Sequence, residues 1–177
     1  MDSQPEETTT VGVALPVPDP WGSDLQQARI RLGDVQARHI PTHITLLPPT
    51  AVPVPVVTRL RAHLDGVASG HQAFPVVLRG TGTFRPVSDV VFIQVARGVA
   101  SCEVLERRVR SGPVERTVQF PYHPHVTVAH DLEESALDRA FEQLADFTCR
   151  FLADRIRLYA HNGDGVWRHD TEFVLGR

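Results

Sequence analysis

Apolar and polar positions alternate along this chain in a way that divides it into short strands and amphipathic helices. Val11-Gly-Val-Ala-Leu-Pro-Val reads as a short apolar strand. Asp19-Pro-Trp-Gly breaks it, and residues 23–32 predict a helix with Ser23 as its cap. Residues 43–47 predict a strand bounded by Pro41 and by Pro48-Pro49. Across residues 55–67, Val56, Val57, Leu60 and Leu64 fall at helical spacing. Residues 74–78 and 90–95 predict two strands around the turn-rich Gly80-Thr-Gly-Thr-Phe-Arg-Pro, and residues 102–109 a further helix. Residues 126–128 predict another strand, entered through Pro121-Tyr-His-Pro. Residues 133–147 predict a helix carrying Leu137, Ala140, Phe141 and Leu144. The chain ends in a predicted hairpin, residues 156–159 and 166–175, around Asn162-Gly-Asp-Gly. Residues 1–10 are expected to be disordered, and 11–177 to form one bilobal domain.

Strands and helices are mixed without the strict alternation of a parallel doubly wound sheet, which points to an α+β fold. A faint duplication runs through the pattern. Each half offers a strand bearing His-x-Thr, then a helix, then strands, and His43 and His125 stand 82 positions apart (125 − 43).

These two motifs, His43-Ile-Thr45-Leu and His125-Val-Thr127-Val, carry the candidate chemistry. Side chains at i and i+2 of a strand share a face, so each motif presents an imidazole and a hydroxyl together, with aliphatic residues turned to the core. Histidine titrates near neutrality and can serve as base or acid, which is what phosphodiester hydrolysis requires. Threonine hydroxyls can donate to the non-bridging phosphate oxygens. One His-x-Thr is weak evidence. Two, each centred on a β-branched residue in a strand-like segment, are hard to obtain by accident. The bland alternative is a pair of half-buried strand histidines bonded to neighbours.

Composition narrows the field. The 177 residues are 42% hydrophobic and 22% charged, as in an ordinary soluble globular protein. A net charge of −3 and a pI near 6.3 provide no field for coating long nucleic acid. All the basic side chains are arginine, so ligation through a nucleotidyl-lysine is excluded. Cys102 and Cys149, the two cysteines, form no disulfide or zinc pattern and are expected to be reduced, buried thiols. The acidic, polar first residues lack a signal peptide's character, and no stretch has the length of a membrane helix, so the protein is expected to be soluble and cytoplasmic. P-loop, dinucleotide and serine-hydrolase motifs are missing.

The paired motifs resemble the signature of the 2H phosphoesterase superfamily, in particular its 2′-5′ RNA ligase-like branch. The likeness covers most of the chain. It takes in Phe74-Pro-Val-Val-Leu-Arg-Gly-Thr-Gly-Thr-Phe-Arg-Pro with Val90-Val-Phe-Ile-Gln-Val, the approach Tyr122-His-Pro-His125, and the C-terminal hairpin. The resemblance implies two pseudo-symmetric lobes of antiparallel sheet with flanking helices around a central cleft. It implies opening of 2′,3′-cyclic phosphates, or cleavage of 2′-5′ linkages, without metal or other cofactor. His43 and His125 would then be acid and base, and Thr45 and Thr127 would bind phosphate. Where many relatives have an arginine or lysine after the second motif, this chain has Ala129-His130.

Other residues are candidates for contacting the substrate. Phe84 and Arg85, in the turn between strands, could stack on a base and meet phosphate; a core phenylalanine and a surface arginine are equally ordinary. Tyr122 and His123 could line the cleft, and His130 could replace the family's basic residue. Trp167 is expected to be hairpin packing, and His39, His63, His71, His161 and His169 to be surface. The expected partner is an RNA end or a small cyclic nucleotide, with no membrane and no obligate protein partner, the chain acting as a monomer. Two rivals remain: an idle module that binds a nucleotide or RNA end, and a metal site built from His123, His125, His130 and Asp131.

Overall fold

The computed structural model describes residues 6–177. Within them the strands form two antiparallel four-stranded sheets. The first has the order β2 (His43–Pro53), β1 (Thr8–Pro16), β7 (Arg155–His161) and β8 (Arg168–Val174). The second has the order β5 (His125–His130), β4 (Val90–Arg97), β3 (Phe74–Thr83) and β6 (Thr148–Ala153). Four helices complete the fold: α1 (Trp21–Arg31), α2 (Val54–Ser69), α3 (Val99–Arg110) and α4 (Glu134–Gln143), with a 3₁₀ turn at Val35–His39.

The duplication read in the sequence is real in the topology. Each motif strand lies at the edge of its sheet beside the strand that precedes it, β2 on β1 and β5 on β4. A helix joins each pair and leans across to the other sheet, α1 touching β5 and α3 touching β2. Helix α2 covers the first sheet and α4 the second. Both sheets feed one apolar cluster. Val11, Leu15, Ile44, Ile156 and Leu158 come from the first, Leu78, Ile93, Val126 and Val128 from the second, and all are 0% exposed.

Several local expectations need correcting. Helix α1 starts at Trp21, and Ser23 is not its cap; the Asp19 carboxylate accepts from the Ser23 amide at 3.0 Å and its hydroxyl at 2.6 Å. Pro48 and Pro49 do not end β2. They fall where its register to β1 slips, on an edge strand, which is where a residue without an N–H is tolerated. Residues 1–5 of the expected disordered start lie outside the described residues, whereas Thr8, Thr9 and Thr10 are strand, paired with Pro53, Val52 and Ala51. Helix α4 ends at Gln143, and the unforeseen β6 follows it.

Cys102 and Cys149 are free and buried, and burial pushes their thiols up to about 12 and about 11. Gly98 enters α3 with φ near +101°, where a side chain would also crowd the Pro75 carbonyl. Among the described residues no helix is long and apolar enough to cross a membrane.

Candidate functional site

Period-two alternation does at the site what the sequence suggests. Ile44 and Val126 are 0% exposed, while His43, Thr45, His125 and Thr127 are half-buried on the opposite faces of β2 and β5. The two strands touch across the gap between the sheets. A cleft of about 400 Å³ opens there, and its lining takes in His43, Thr45 and Thr127. His125 stands beside that lining, two residues from Thr127 on the same strand face.

Both imidazoles are held in the same way. The Nδ1 of His43 lies 2.6 Å from the Pro41 carbonyl, and the Nδ1 of His125 lies 2.7 Å from the His123 carbonyl. A carbonyl only accepts, so each Nδ1 carries the proton and each Nε2 is left with its lone pair. The Nε2 of His43 is 3.1 Å from the Thr45 hydroxyl. Both residues are only partly buried, yet protein atoms crowd around both rings. That burial holds both pKa values below the usual 6.5 against the opposing backbone hydrogen bonds. The Arg29 guanidinium lowers His43 further, and His123 and His43 lower His125, so the two catalytic candidates feel each other.

The surroundings sort the other candidates. Phe84 packs on Phe92 with ring centroids 4.5 Å apart and sets its edge to His125 at 4.9 Å, which makes it the wall behind that ring. His123 acts through its carbonyl, and its ring meets Phe84 and Phe92 edge-on. His130 lines the cleft mouth, with Nε2 3.2 Å from Asp131. Arg85 donates to Asp138 at 2.8 Å and to the Thr83 hydroxyl at 3.2 Å. Tyr122, in the loop that leads into β5, donates its hydroxyl to the Thr45 carbonyl of β2 at 2.7 Å. Among the described residues no three His, Cys, Asp or Glu gather as metal ligands, so the rival cluster of His123, His125, His130 and Asp131 is not assembled.

Sequence reasoning missed much of the cleft. Arg29, Gln36, Tyr159, His161 and Trp167 line it, and His161 and Trp167 are thereby more than surface or hairpin packing. Arg29 is 5% exposed and holds Asp34 through Nε at 3.0 Å. Alternation along β7 places Tyr159 and His161 opposite the core residues Ile156 and Leu158. Only the strand order, with β1 between β2 and β7, turns that face into part of this site.

The family model for the 2′-5′ RNA ligase superfamily matches residues 16–165, most of the chain and both motifs. The chain belongs to the 2′-5′ RNA ligase superfamily. Among curated relatives of this superfamily member, a "Putative phosphoesterase" of Halalkalibacterium halodurans is 26% identical over 175 residues, covering 94% of this chain and 97% of the relative. One of the same description from Bacillus licheniformis is 28% identical over 141 residues, covering 77% and 82%. Escherichia coli LigT, solved with 3′-AMP, superposes with a TM-score of 0.68 at 18% identity, over 97% of this chain and 100% of LigT. LigT solved with NADP+ gives 0.66 at 19%, with the same coverage. TT0787 of Thermus thermophilus gives 0.65 at 18%, over 94% and 98%. At these identities the solved structures establish the 2H phosphoesterase-type fold of two antiparallel sheets.

Proposed function

We propose that this protein is a metal-independent phosphodiesterase that hydrolyses 2′,3′-cyclic phosphates, or 2′-5′ linkages, at RNA ends or on nucleotides. The observation that carries the reading is the matched anchoring of the two imidazoles. With both Nδ1 protons held by backbone carbonyls, two Nε2 atoms are left for chemistry on adjoining strands. One Nε2 takes a proton from water as its oxygen attacks phosphorus. The other, protonated, gives its proton to the departing ribose oxygen, so the diester and water become a phosphomonoester and a hydroxyl. Thr45 and Thr127 donate to the non-bridging oxygens, and Arg29 supplies positive charge at the cleft wall. Both rings are neutral-leaning in the free protein, which provides the base. The anionic diester, once between them, favours the imidazolium that provides the acid. The protein names of the relatives and the nucleotides bound to LigT agree with this chemistry.

The test is hydrolysis of a short RNA ending in a 2′,3′-cyclic phosphate, in EDTA, by wild type and by His43→Ala and His125→Ala. Each substitution is expected to lower kcat/KM by roughly 100- to 10,000-fold. Activity that survives either one overturns the mechanism. Nucleotide binding without turnover of any cyclic phosphate or 2′-5′ linkage would favour the idle binding module.

A further inference from the structure

The two motifs belong to different sheets, and among the described residues no hydrogen bond joins β2 directly to β5. Their alignment depends on what crosses between them. Residues 111–124, which lead from α3 into β5, make that crossing. Arg116 donates to the Pro49 carbonyl of β2 at 2.9 Å and to the Thr50 hydroxyl at 3.0 Å. Farther along, the Tyr122 hydroxyl donates to the Thr45 carbonyl at 2.7 Å. Tyr122 stands three residues before His125, and Thr45 two residues after His43. One hydrogen bond thus ties the approach to the second motif to the hydroxyl-bearing residue of the first.

Thr45 is a place where that tie matters. Strand β2 is an edge strand, and its register to β1 shifts between Val13 and Ala14, the step next to the Ala14–Thr45 pair. A ladder disrupted there holds the strand less firmly on its one paired side. Ile44 and Leu46, 0% and 2% exposed, seat it on the core, and the Tyr122 bond holds it from the other half of the molecule. The ring of Tyr122 packs against the apolar core. Burial foremost, then Cys102, Glu106 and Glu103 of α3, raises its pKa, so the phenol stays a donor through the neutral range. The first half of the fold is built without this device, because the matching position, three residues before His43, is Ile40.

We infer that Tyr122 is a positioning residue for the phosphate site. Its hydroxyl, acting through the Thr45 backbone, sets the Thr45 side chain where it and Thr127 together meet the non-bridging oxygens. Reacting groups have to be held to within about 0.5 Å, and supporting hydrogen bonds behind them do this. The effect passes through Thr45 and needs no contact between Tyr122 and the substrate. The inference rests on the phosphate reading of the motifs proposed above and adds a residue that neither motif contains.

Tyr122→Phe removes the hydroxyl and keeps the ring in the core. The substitution is compared in wild type, in Thr45→Val and in Thr127→Val. One readout is kcat/KM on a short RNA ending in a 2′,3′-cyclic phosphate. The other is calorimetric affinity for the tightest-binding of the four nucleoside 3′-monophosphates. Loss of the hydrogen bond should cost roughly two- to tenfold in wild type and in Thr127→Val, but less than about twofold in Thr45→Val. A brace that serves the fold alone costs the same in every background. An equal loss in all three, no loss in wild type, or failure of every nucleotide to bind overturns the inference. The affinity comparison separates it from the proposed reaction. Binding that weakens with Tyr122→Phe only when the Thr45 hydroxyl is present, without turnover of the cyclic phosphate, keeps the positioning role and removes the reaction. Turnover that falls equally in all three backgrounds keeps the reaction and removes the positioning role.

Discussion

His43 and His125 are both crowded by protein, and each is anchored through Nδ1 by a carbonyl two residues upstream; the proposed reaction would ask both to exchange protons. The anchor fixes the tautomer, and burial, the larger influence, keeps the ring neutral. This has a consequence for stability. In the unfolded chain both histidines titrate near 6.5, and in the folded protein they titrate lower. As pH falls through 6.5 the unfolded state therefore binds protons first, and stability is lost from there down to the folded values. Urea midpoints should accordingly hold from pH 8 to 7 and drop from pH 6.5 to 5. The drop should be smaller in the double variant His43→Gln with His125→Gln. Some dependence should persist there, because burial and the nearby Arg108 also lower His71. Identical pH dependence in wild type and variant would contradict the burial argument.

Elements decide which residues reach the site. Edge position is the device that makes β2 and β5 available to each other, and the Tyr122 hydroxyl, from the loop that leads into β5, occupies a carbonyl of β2. The wall opposite is set by the Arg29–Asp34 pair, which ties the end of α1 to the 3₁₀ turn leading to Pro41 and His43. Both partners are 5% exposed, so Arg29→Ala strands a buried carboxylate and should destabilise the protein by about 3–5 kcal/mol in urea unfolding. Replacing both residues with apolar ones of similar volume should recover most of that loss, and a single variant as stable as wild type would show the pair to be slack. The motif strands were legible because Ile44 and Val126 alternate cleanly with the polar pairs. Strand β6 was not. Its buried face carries Cys149, Phe151 and Ala153, two of them small, and it follows α4 without a proline or glycine to mark the change. Ser23 misled for a related reason. It has the chemistry of a cap, but Asp19, four residues earlier, accepts the hydrogen bonds instead.

At the scale of the whole molecule, two half-sites become one only because β2 and β5 meet, each at the edge of a different sheet and each braced by the helix from the other half. Local pattern could suggest the duplication. It could not place Tyr159 or Trp167 near His43, since that depends on β1 lying between β2 and β7. If the two histidines serve one transition state, they are coupled, and removing the second should cost little once the first is gone. The double variant His43→Ala with His125→Ala should therefore lose far less kcat/KM than the product of the two single losses, each roughly 100- to 10,000-fold. Losses that multiply would mean that the two sheets act separately on the substrate. In that case the pairing of β2 and β5 would serve the fold and not the chemistry. The comparison is informative even where the singles are nearly dead, because it asks only whether the second substitution has anything left to remove.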